Sequence, residues 1–146
     1  MAKCYFCSKI EMIKNGTALD FLVELKESYA ILSDAQRFKG YVILVSKKHD
    51  EHFHKMSSKR QEGMFKDLMR VTLAIGKVFK PARFNYENLG NITPHVHWHI
   101  IPRYKNDPDR RQPIWVIPEN ARTGKVGKAK RLQLLRVLKG KHYSDK

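Results

Sequence analysis

One stretch decides the fold of this chain: Pro94-His95-Val96-His97-Trp98-His99-Ile100-Ile101-Pro102-Arg103. Histidines and apolar residues alternate in it, and a period of two predicts a β-strand whose three imidazoles share one face. Neighbouring imidazoles would lie about 6.5–7 Å apart along that face. Because every buried ring nitrogen needs a hydrogen-bond partner, we expect His95, His97 and His99 on an open face of the sheet, with Trp98 buried beneath them.

A row of imidazoles suits three roles. Neutral imidazole is a good zinc ligand, and alternate positions on a strand suit metal binding. An imidazole can also attack phosphorus while its neighbours hold the phosphoryl oxygens and protonate the leaving group. An attacking imidazole must be neutral, and its other nitrogen must keep its proton on a fixed acceptor, which the strand backbone can supply. The third role is a solvent-exposed polar face of an edge strand.

Predicted strands and helices surround the histidine stretch. Apolar runs predict strands at 21–25, 29–32, 41–45 and 83–88. Apolar residues that recur every three or four positions at 64–79 predict a helix, capped near Ser57-Ser58 and ended by Pro81. A basic amphipathic helix is predicted at 126–139. The order of strands, helix, strands and helix predicts an α+β fold with a largely antiparallel sheet, rather than βαβ units.

Length and composition limit the classes of function. With 146 residues, 42% of them hydrophobic, the chain is long enough for one domain with a real core. No apolar run approaches the about 18 residues of a spanning helix, and the N-terminus lacks the apolar core of a secretion signal, so we expect a cytoplasmic protein without a membrane partner. Two cysteines exclude a disulfide framework. The net charge of +15 favours an anionic partner: nucleotide, nucleic acid or an acidic surface.

Positive charge is concentrated at the C-terminal end. Residues 119–146 carry nine Lys or Arg and two acids, a net +7, against +8 for the preceding 118 residues. We therefore predict two parts, a domain at 1–118 and a basic helix and tail at 119–146. The tail can be a solvated helix, a subunit contact, an electrostatic lure for nucleotides or a segment that binds nucleic acid, since Lys and Arg bind phosphate without reading sequence.

The histidine stretch resembles the signature of the histidine-triad (HIT) superfamily. Two upstream segments extend the resemblance: Gly40-Tyr41-Val42-Ile43-Leu44-Val45-Ser46-Lys47-Lys48-His49 is similar to the family's Gly-His-φ-φ-Val-x-Lys-x-His strand, and Cys4-Tyr5-Phe6-Cys7 to the Cys-x-x-Cys of its zinc-containing bacterial members. The segments 85–91, 103–108 and 113–115 resemble a bacterial branch labelled diadenosine tetraphosphate hydrolase-like. Together these segments cover roughly residues 4–117.

The resemblance implies a five-stranded antiparallel sheet with helices, commonly paired into a homodimer. It also implies hydrolysis or transfer at the α-phosphate of a dinucleoside polyphosphate or a nucleoside phosphoramidate, with no organic cofactor. His97 would form a nucleotidyl-histidine intermediate, His99 would contact the phosphate and the leaving group, and His95 would complete the catalytic set. The alternative function is binding of nucleotide or nucleic acid with little catalysis.

Three further positions are compared with the family pattern. Asn91 matches an amide residue near the phosphate, although it can also be a turn residue after Gly90. Asp34 lies near the family's ribose-contacting acid, with a spacing to the following glycine one residue shorter than usual. At the position of Tyr41 the family usually has a histidine. In the zinc-free members that histidine supports the first histidine of the triad.

A metal site is the remaining expectation. Cys4 and Cys7 supply two of the four ligands that tetrahedral zinc needs, or are simply two reduced thiols. The resemblance points to His49 and His95 as the other two ligands, with the nearby His52 and His54 as substitutes. Such a closed site is structural, and it would remove His95 from the chemistry. A metal held by the triad itself is the competing arrangement.

Overall fold

A five-stranded antiparallel sheet forms the centre of the computed structural model, which describes residues 4–140. The strand order is β1-β2-β3-β5-β4, so β1 and β4 are the edges. The expected α+β class and sheet are therefore confirmed. The helices and strands in chain order are α1 (Tyr5–Lys14), β1 (Phe21–Glu24), β2 (Ser28–Leu32), β3 (Val42–Ser46), α2 (Ser58–Phe79), β4 (Arg83–Glu87), β5 (His97–Arg103), α3 (Glu119–Arg122) and α4 (Lys128–Lys139), with 3₁₀ turns at Phe53–Lys55 and Ile114–Val116.

The long helix α2 forms where the apolar period predicts it. Its buried residues include Met64, Leu68, Val71 and Ile75, which recur at spacings of three and four and face the sheet. The helix ends at Phe79, and the next residue, Lys80, adopts a left-handed conformation with a φ of 48° directly before Pro81.

The start of α2 differs from the prediction in one detail. Ser57 occupies the N-cap position but makes no capping hydrogen bond through its side chain. Instead, the Gln61 amide donates to the carbonyls of Phe53 and Met56, at 3.0 and 3.1 Å. This contact joins the first turn of the helix to the preceding 3₁₀ turn.

Helices cover both faces of the sheet. On one face α2 and α4 pack over Val42, Leu44 and Ile100, and α4 contributes Leu134 and Leu138 to that core. The basic helix is thus confirmed, and it shares the core of the main domain. The predicted boundary at 118/119 stays a prediction, and residues 141–146 of the predicted tail lie outside the described residues.

The opposite face of the sheet carries the N-terminal helix α1, which was not predicted. Phe6 and Ile10 of this helix pack on Tyr29, Ile31 and Val45. Because α1 lies on the face toward which the histidines point, it determines how exposed they are. Within residues 4–140, no helix combines the length and apolar character needed to span a membrane.

Candidate functional site

The histidine row is buried. Strand β5 begins at His97, and His95 lies two residues before it. The exposed fractions of His95, His97 and His99 are 1%, 5% and 7%. The expectation of an open face is therefore wrong, because Phe6 of α1 covers the row, with its ring centroid 4.5 Å from that of His97 and 5.8 Å from that of His95.

Trp98 lies on the opposite face, as the period of two predicts. Its indole packs on Phe53 and Phe65, with centroid distances of 5.6 and 5.7 Å. The indole remains half-buried, whereas Ile100 on the same face and the histidines on the other face are buried. The burial is tolerated because each of the three imidazoles has a hydrogen-bond partner.

His97 has a fixed hydrogen bond on one ring nitrogen. Its Nδ1 lies 2.6 Å from the carbonyl oxygen of His95, and only a protonated Nδ1 can donate to that acceptor. Burial lowers the pKa of His97, which keeps the ring neutral. The lone pair therefore sits on Nε2. The amide of Asn88 donates to the His97 carbonyl at 2.6 Å and holds the backbone at this residue.

His99 is held by Tyr41. The phenol oxygen lies 2.6 Å from Nδ1 of His99. Burial, and next the charge of Glu87, raises the pKa of Tyr41, so the phenol keeps its proton and is a hydrogen-bond donor. A phenol that donates to Nδ1 leaves Nε2 of His99 as the protonated nitrogen. Burial, followed by the effect of His97, lowers the pKa of His99 to about 3.

Position 41 thus supports the third histidine of the row in this chain. In the register Ile43 pairs with His99, so Tyr41, two residues earlier, lies on the same sheet face. The first histidine, His95, is held instead by the carbonyl of Ser46. Sequence reasoning noted Tyr41 as a departure from the family pattern but missed this contact, which joins residues 58 positions apart.

A cavity of about 320 Å³ opens beside the row. Its lining is mainly apolar, with a few polar groups, as is usual for sites that bind small molecules. The lining residues relevant to the chemistry are Phe6, Asn91, Thr93, His97, His99 and Trp115. We call this the histidine cavity.

The structure treats the two expected substrate-binding residues differently. Asn91 is exposed and lines the histidine cavity, where its amide can meet a ligand. Asp34 is not among the lining residues, and its carboxylate pairs with Arg131 of α4 at 2.5 Å. The structure therefore brings Asn91 to the histidines and gives Asp34 a different partner.

Trp115 and two charges form one wall of the histidine cavity. The indole ring lies 5.2 Å from the His99 ring and donates a hydrogen bond to Glu87. Glu87 pairs with His99 in the β4–β5 register, and the guanidinium of Arg122 lies 4.8 Å from the indole centroid. Neither Glu87 nor Arg122 was singled out from sequence, because strand pairing brings Glu87 opposite His99 and helix α3 brings Arg122 to Trp115.

Four side chains expected to bind metal lie together. The ligand atoms of Cys4, Cys7, His49 and His95 lie within 4.8 Å of one another, and this cluster could hold a metal ion. The sulfur–nitrogen distances are 3.6 Å for Cys4–His95, 3.3 Å for Cys7–His49 and 3.7 Å for Cys7–His95. Tetrahedral zinc, with sulfur at about 2.3 Å and nitrogen at about 2.0–2.1 Å, places these atoms about 3.6 Å apart.

The orientation of His95 agrees with a ligand role. Its Nε2 lies 2.9 Å from the Ser46 carbonyl, so Nε2 carries the proton and Nδ1 presents its lone pair to the two sulfurs. Burial lowers the pKa of His95, which favours the neutral ring that a metal requires. The donor set therefore fits a metal in both identity and spacing.

Comparisons with known proteins point to one family. The HIT domain model matches residues 17–106. Adenosine 5′-monophosphoramidase hnt1 of Schizosaccharomyces pombe is 31% identical over 105 residues, covering 68% of this chain and 74% of that protein. A crystal structure of a HIT family protein from Bacillus anthracis matches with a TM-score of 0.64 at 26% identity, covering 92% of each chain. A histidine triad protein from Bradyrhizobium japonicum, with a TM-score of 0.75 at 20% identity over 85% of this chain and 92% of that one, shows the fold.

Proposed function

The chain belongs to the HIT domain family, and we propose that it cleaves nucleotides at the α-phosphate through a covalent bond to His97. Family membership supports a nucleotide hydrolase or transferase in general. The nucleophile is inferred from one observation, the hydrogen bond of 2.6 Å from Nδ1 of His97 to the His95 carbonyl. That bond leaves the Nε2 lone pair free, in a ring that lines the histidine cavity.

The two steps follow from these protonation states. Nε2 of His97 attacks the α-phosphorus, and the bond from phosphorus to the leaving group breaks. A polyphosphate departs as an anion, whereas an amine takes a proton from solvent. Water then attacks the same phosphorus, the phosphorus–nitrogen bond breaks with its electron pair returning to Nε2, and the water proton passes to solvent. In transfer, another acceptor takes the place of water.

Polar groups around the cavity stabilise the phosphoryl group. The protonated Nε2 of His99 can donate to an oxygen of the phosphoryl or leaving group, and Tyr41 keeps that nitrogen protonated. The Asn91 amide is a second donor at the rim. Thr93 provides a hydroxyl in the same lining. These donors lie in a largely apolar surround, where hydrogen bonds to a charged oxygen are stronger than in water.

The experiment that tests the nucleophile is trapping of the intermediate. The protein is mixed with diadenosine tetraphosphate or adenosine 5′-phosphoramidate, quenched rapidly in base and analysed by intact-mass and peptide mass spectrometry. We expect one adenylyl group on the peptide that holds His97. The His97→Gln variant should form no adduct, whereas the control His54→Gln, at an exposed position, should form it normally. An adduct on another residue, or turnover by His97→Gln, would disprove the assignment.

We also propose that the cluster of Cys4, Cys7, His49 and His95 binds structural zinc. The distances of 3.3–3.7 Å between ligand atoms support this. Bound zinc would join α1 to the histidine row through His95 and supply folding energy. Metal analysis should find about one zinc per chain, lost in Cys4→Ser and retained in His97→Gln and His99→Gln. Loss of metal in the last two variants would instead favour the triad as the binding site.

We propose a homodimer from the family resemblance, and a cytoplasmic location from the sequence. The edge strand β4 and the exposed apolar side chains Met69 and Leu73 of α2 offer surfaces for a homodimer. Cys4 and Cys7 form no disulfide with each other, which is consistent with the reducing cytoplasm. Light scattering at several concentrations tests the dimer.

A further inference from the structure

The helix α4 lies in the most basic part of the chain. The segment 119–140 has seven Lys or Arg side chains and one acid, Glu119, which gives it a net charge of +6. The helix is fixed to the domain, because Leu134, Leu135 and Leu138 are buried in the core that α4 shares with α2 and the sheet. The cations of α4 are therefore held on a folded surface.

Most cations of this segment have no acidic partner. Within the part of the chain that the structure describes, one ion pair involves residues 119–140, that of Arg131 with Asp34 at 2.5 Å. Lys128, Arg136 and Lys139 form no ion pair with any described residue. Their positive charges are therefore available to an anion that approaches from solvent.

The three unpaired cations of α4 form a row along the helix. Lys128, Arg136 and Lys139 are separated by eight and three residues, which places them on one side of a helix with 3.6 residues per turn. All three side chains are exposed, as is Leu132 on the same side. Lys139 also lies 5.3 Å from the centroid of the Phe21 ring, a contact that keeps its charge. The row is about 17 Å long. We call these three cations the α4 row.

The α4 row lies far from the chemistry of the histidines. Helix α4 packs with α2 over Leu44, which pairs with Trp98, so α4 covers the Trp98 face of the sheet. The histidine cavity lies on the opposite face, where Phe6 of α1 covers the row of imidazoles. The described residues that line this cavity include none from α4. A large anion can therefore bind α4 without entering the histidine cavity.

The composition of the segment selects one class of anion. Residues 119–140 include no aromatic side chain, so they offer no platform on which the bases of a single strand could stack. A helix that binds a membrane surface places its apolar side in lipid, whereas the apolar side of α4 is buried in the core. A nucleic-acid duplex carries one negative charge for about each 1.7 Å of its axis, and cations bind these phosphates without reading sequence.

We propose that the α4 row binds the phosphate backbone of double-stranded nucleic acid without sequence preference. This interaction is separate from the proposed function and uses no residue of the histidine cavity. The length of the row matches a stretch of duplex axis that carries about ten phosphate charges. Each cation that neutralises a phosphate releases a counterion, so binding must weaken steeply as the salt concentration rises.

The test measures binding of a short fluorescein-labelled DNA duplex by fluorescence anisotropy over a series of salt concentrations. The row variant is Lys128→Gln/Arg136→Gln/Lys139→Gln, which removes three charges and leaves the buried leucines unchanged. We expect it to bind the duplex about tenfold or more weakly than the wild type at low salt. The slope of log K against log salt concentration should become shallower by about 3, one for each lost phosphate contact.

The matched control is Lys14→Gln/Lys55→Gln/Lys105→Gln, which removes three exposed charges outside α4. It should keep a slope close to that of the wild type, and all three proteins should have similar Tm values because every replaced side chain is exposed. Two duplexes of unrelated sequence should bind the wild type equally.

Three results would overturn the inference. The first is an equal loss of affinity and slope in the row variant and the control, since only the overall charge would then attract the duplex. The second is a wild-type protein that does not bind the duplex even at low salt. The third is tighter binding to vesicles of anionic lipid or to polyglutamate than to the duplex. None of these measurements depends on whether a nucleotide is cleaved, so the proposed function and this inference can fail separately.

Discussion

The first two histidines of the row, His95 and His97, lie on the same sheet face with similar burial, yet their ring nitrogens have different partners. At the first position, Nε2 of His95 donates to the Ser46 carbonyl, so Nδ1 faces two cysteine sulfurs. At the next, Nδ1 of His97 donates to the His95 carbonyl, so Nε2 faces a cavity. The partner of one ring nitrogen therefore decides what the other can do. Two backbone carbonyls thus separate the proposed metal ligand from the proposed nucleophile.

The largest expected effect is loss of turnover when His97 is replaced. His97→Gln removes the attacking nitrogen, and we expect kcat/KM for any cleaved nucleotide to fall at least about a thousandfold. Zinc content and thermal stability should stay near those of the wild type, because His97 is not a member of the cluster. If His97→Gln lost zinc as well, the proposed nucleophile and the proposed metal site would not be chemically separate.

The next effect is loss of stability when the proposed metal site is removed. Cys4→Ser/Cys7→Ser should lose zinc and lower Tm by roughly 10 °C or more, since a structural site contributes several kcal/mol and about 1 kcal/mol corresponds to 2–4 °C at this size. Differential scanning calorimetry measures the change, with Ser8→Ala in the same helix as the control. An unchanged Tm would mean that α1 is held by Phe6 and Ile10 alone.

Sequence reasoning predicted the strands and α2 because their apolar periods are long and regular. It missed α1, in which only Phe6 and Ile10 are buried. Burial of the histidines could not be predicted without α1, because a period of two shows which residues share a face but not what covers that face. Only the family resemblance predicted that Cys4 and Cys7 lie close to His49 and His95, because these ligands come from three distant parts of the chain.

The dependence of stability on pH tests the neutral state of the third histidine. The pKa of His99 is lowered by burial, and next by His97, from 6.5 to about 3. Between these values the unfolded chain binds a proton that the folded chain does not, so stability is full above pH 6.5 and falls as pH falls toward 3. Between pH 7 and pH 5 the free energy of unfolding of the wild type should fall. That of His99→Gln should fall by about 2 kcal/mol less over the same range. Urea unfolding at both pH values measures this, and equal losses would contradict the buried neutral ring.

The smallest effect concerns Tyr41, which fixes the proton of His99. Tyr41→Phe keeps the buried ring but removes the donor at 2.6 Å, and we expect kcat to fall about tenfold while zinc content is unchanged. The control is Tyr104→Phe, which loses a phenol hydrogen bond of the same length, 2.6 Å, to the Lys39 carbonyl outside the histidine cavity. Tyr41→His should recover part of the activity, because an imidazole N–H can also donate to Nδ1. If Tyr41→Phe and Tyr104→Phe lowered kcat equally, the Tyr41 phenol would act only through stability. The hydrogen-bond partner of Nδ1 would then not determine the chemistry of His99.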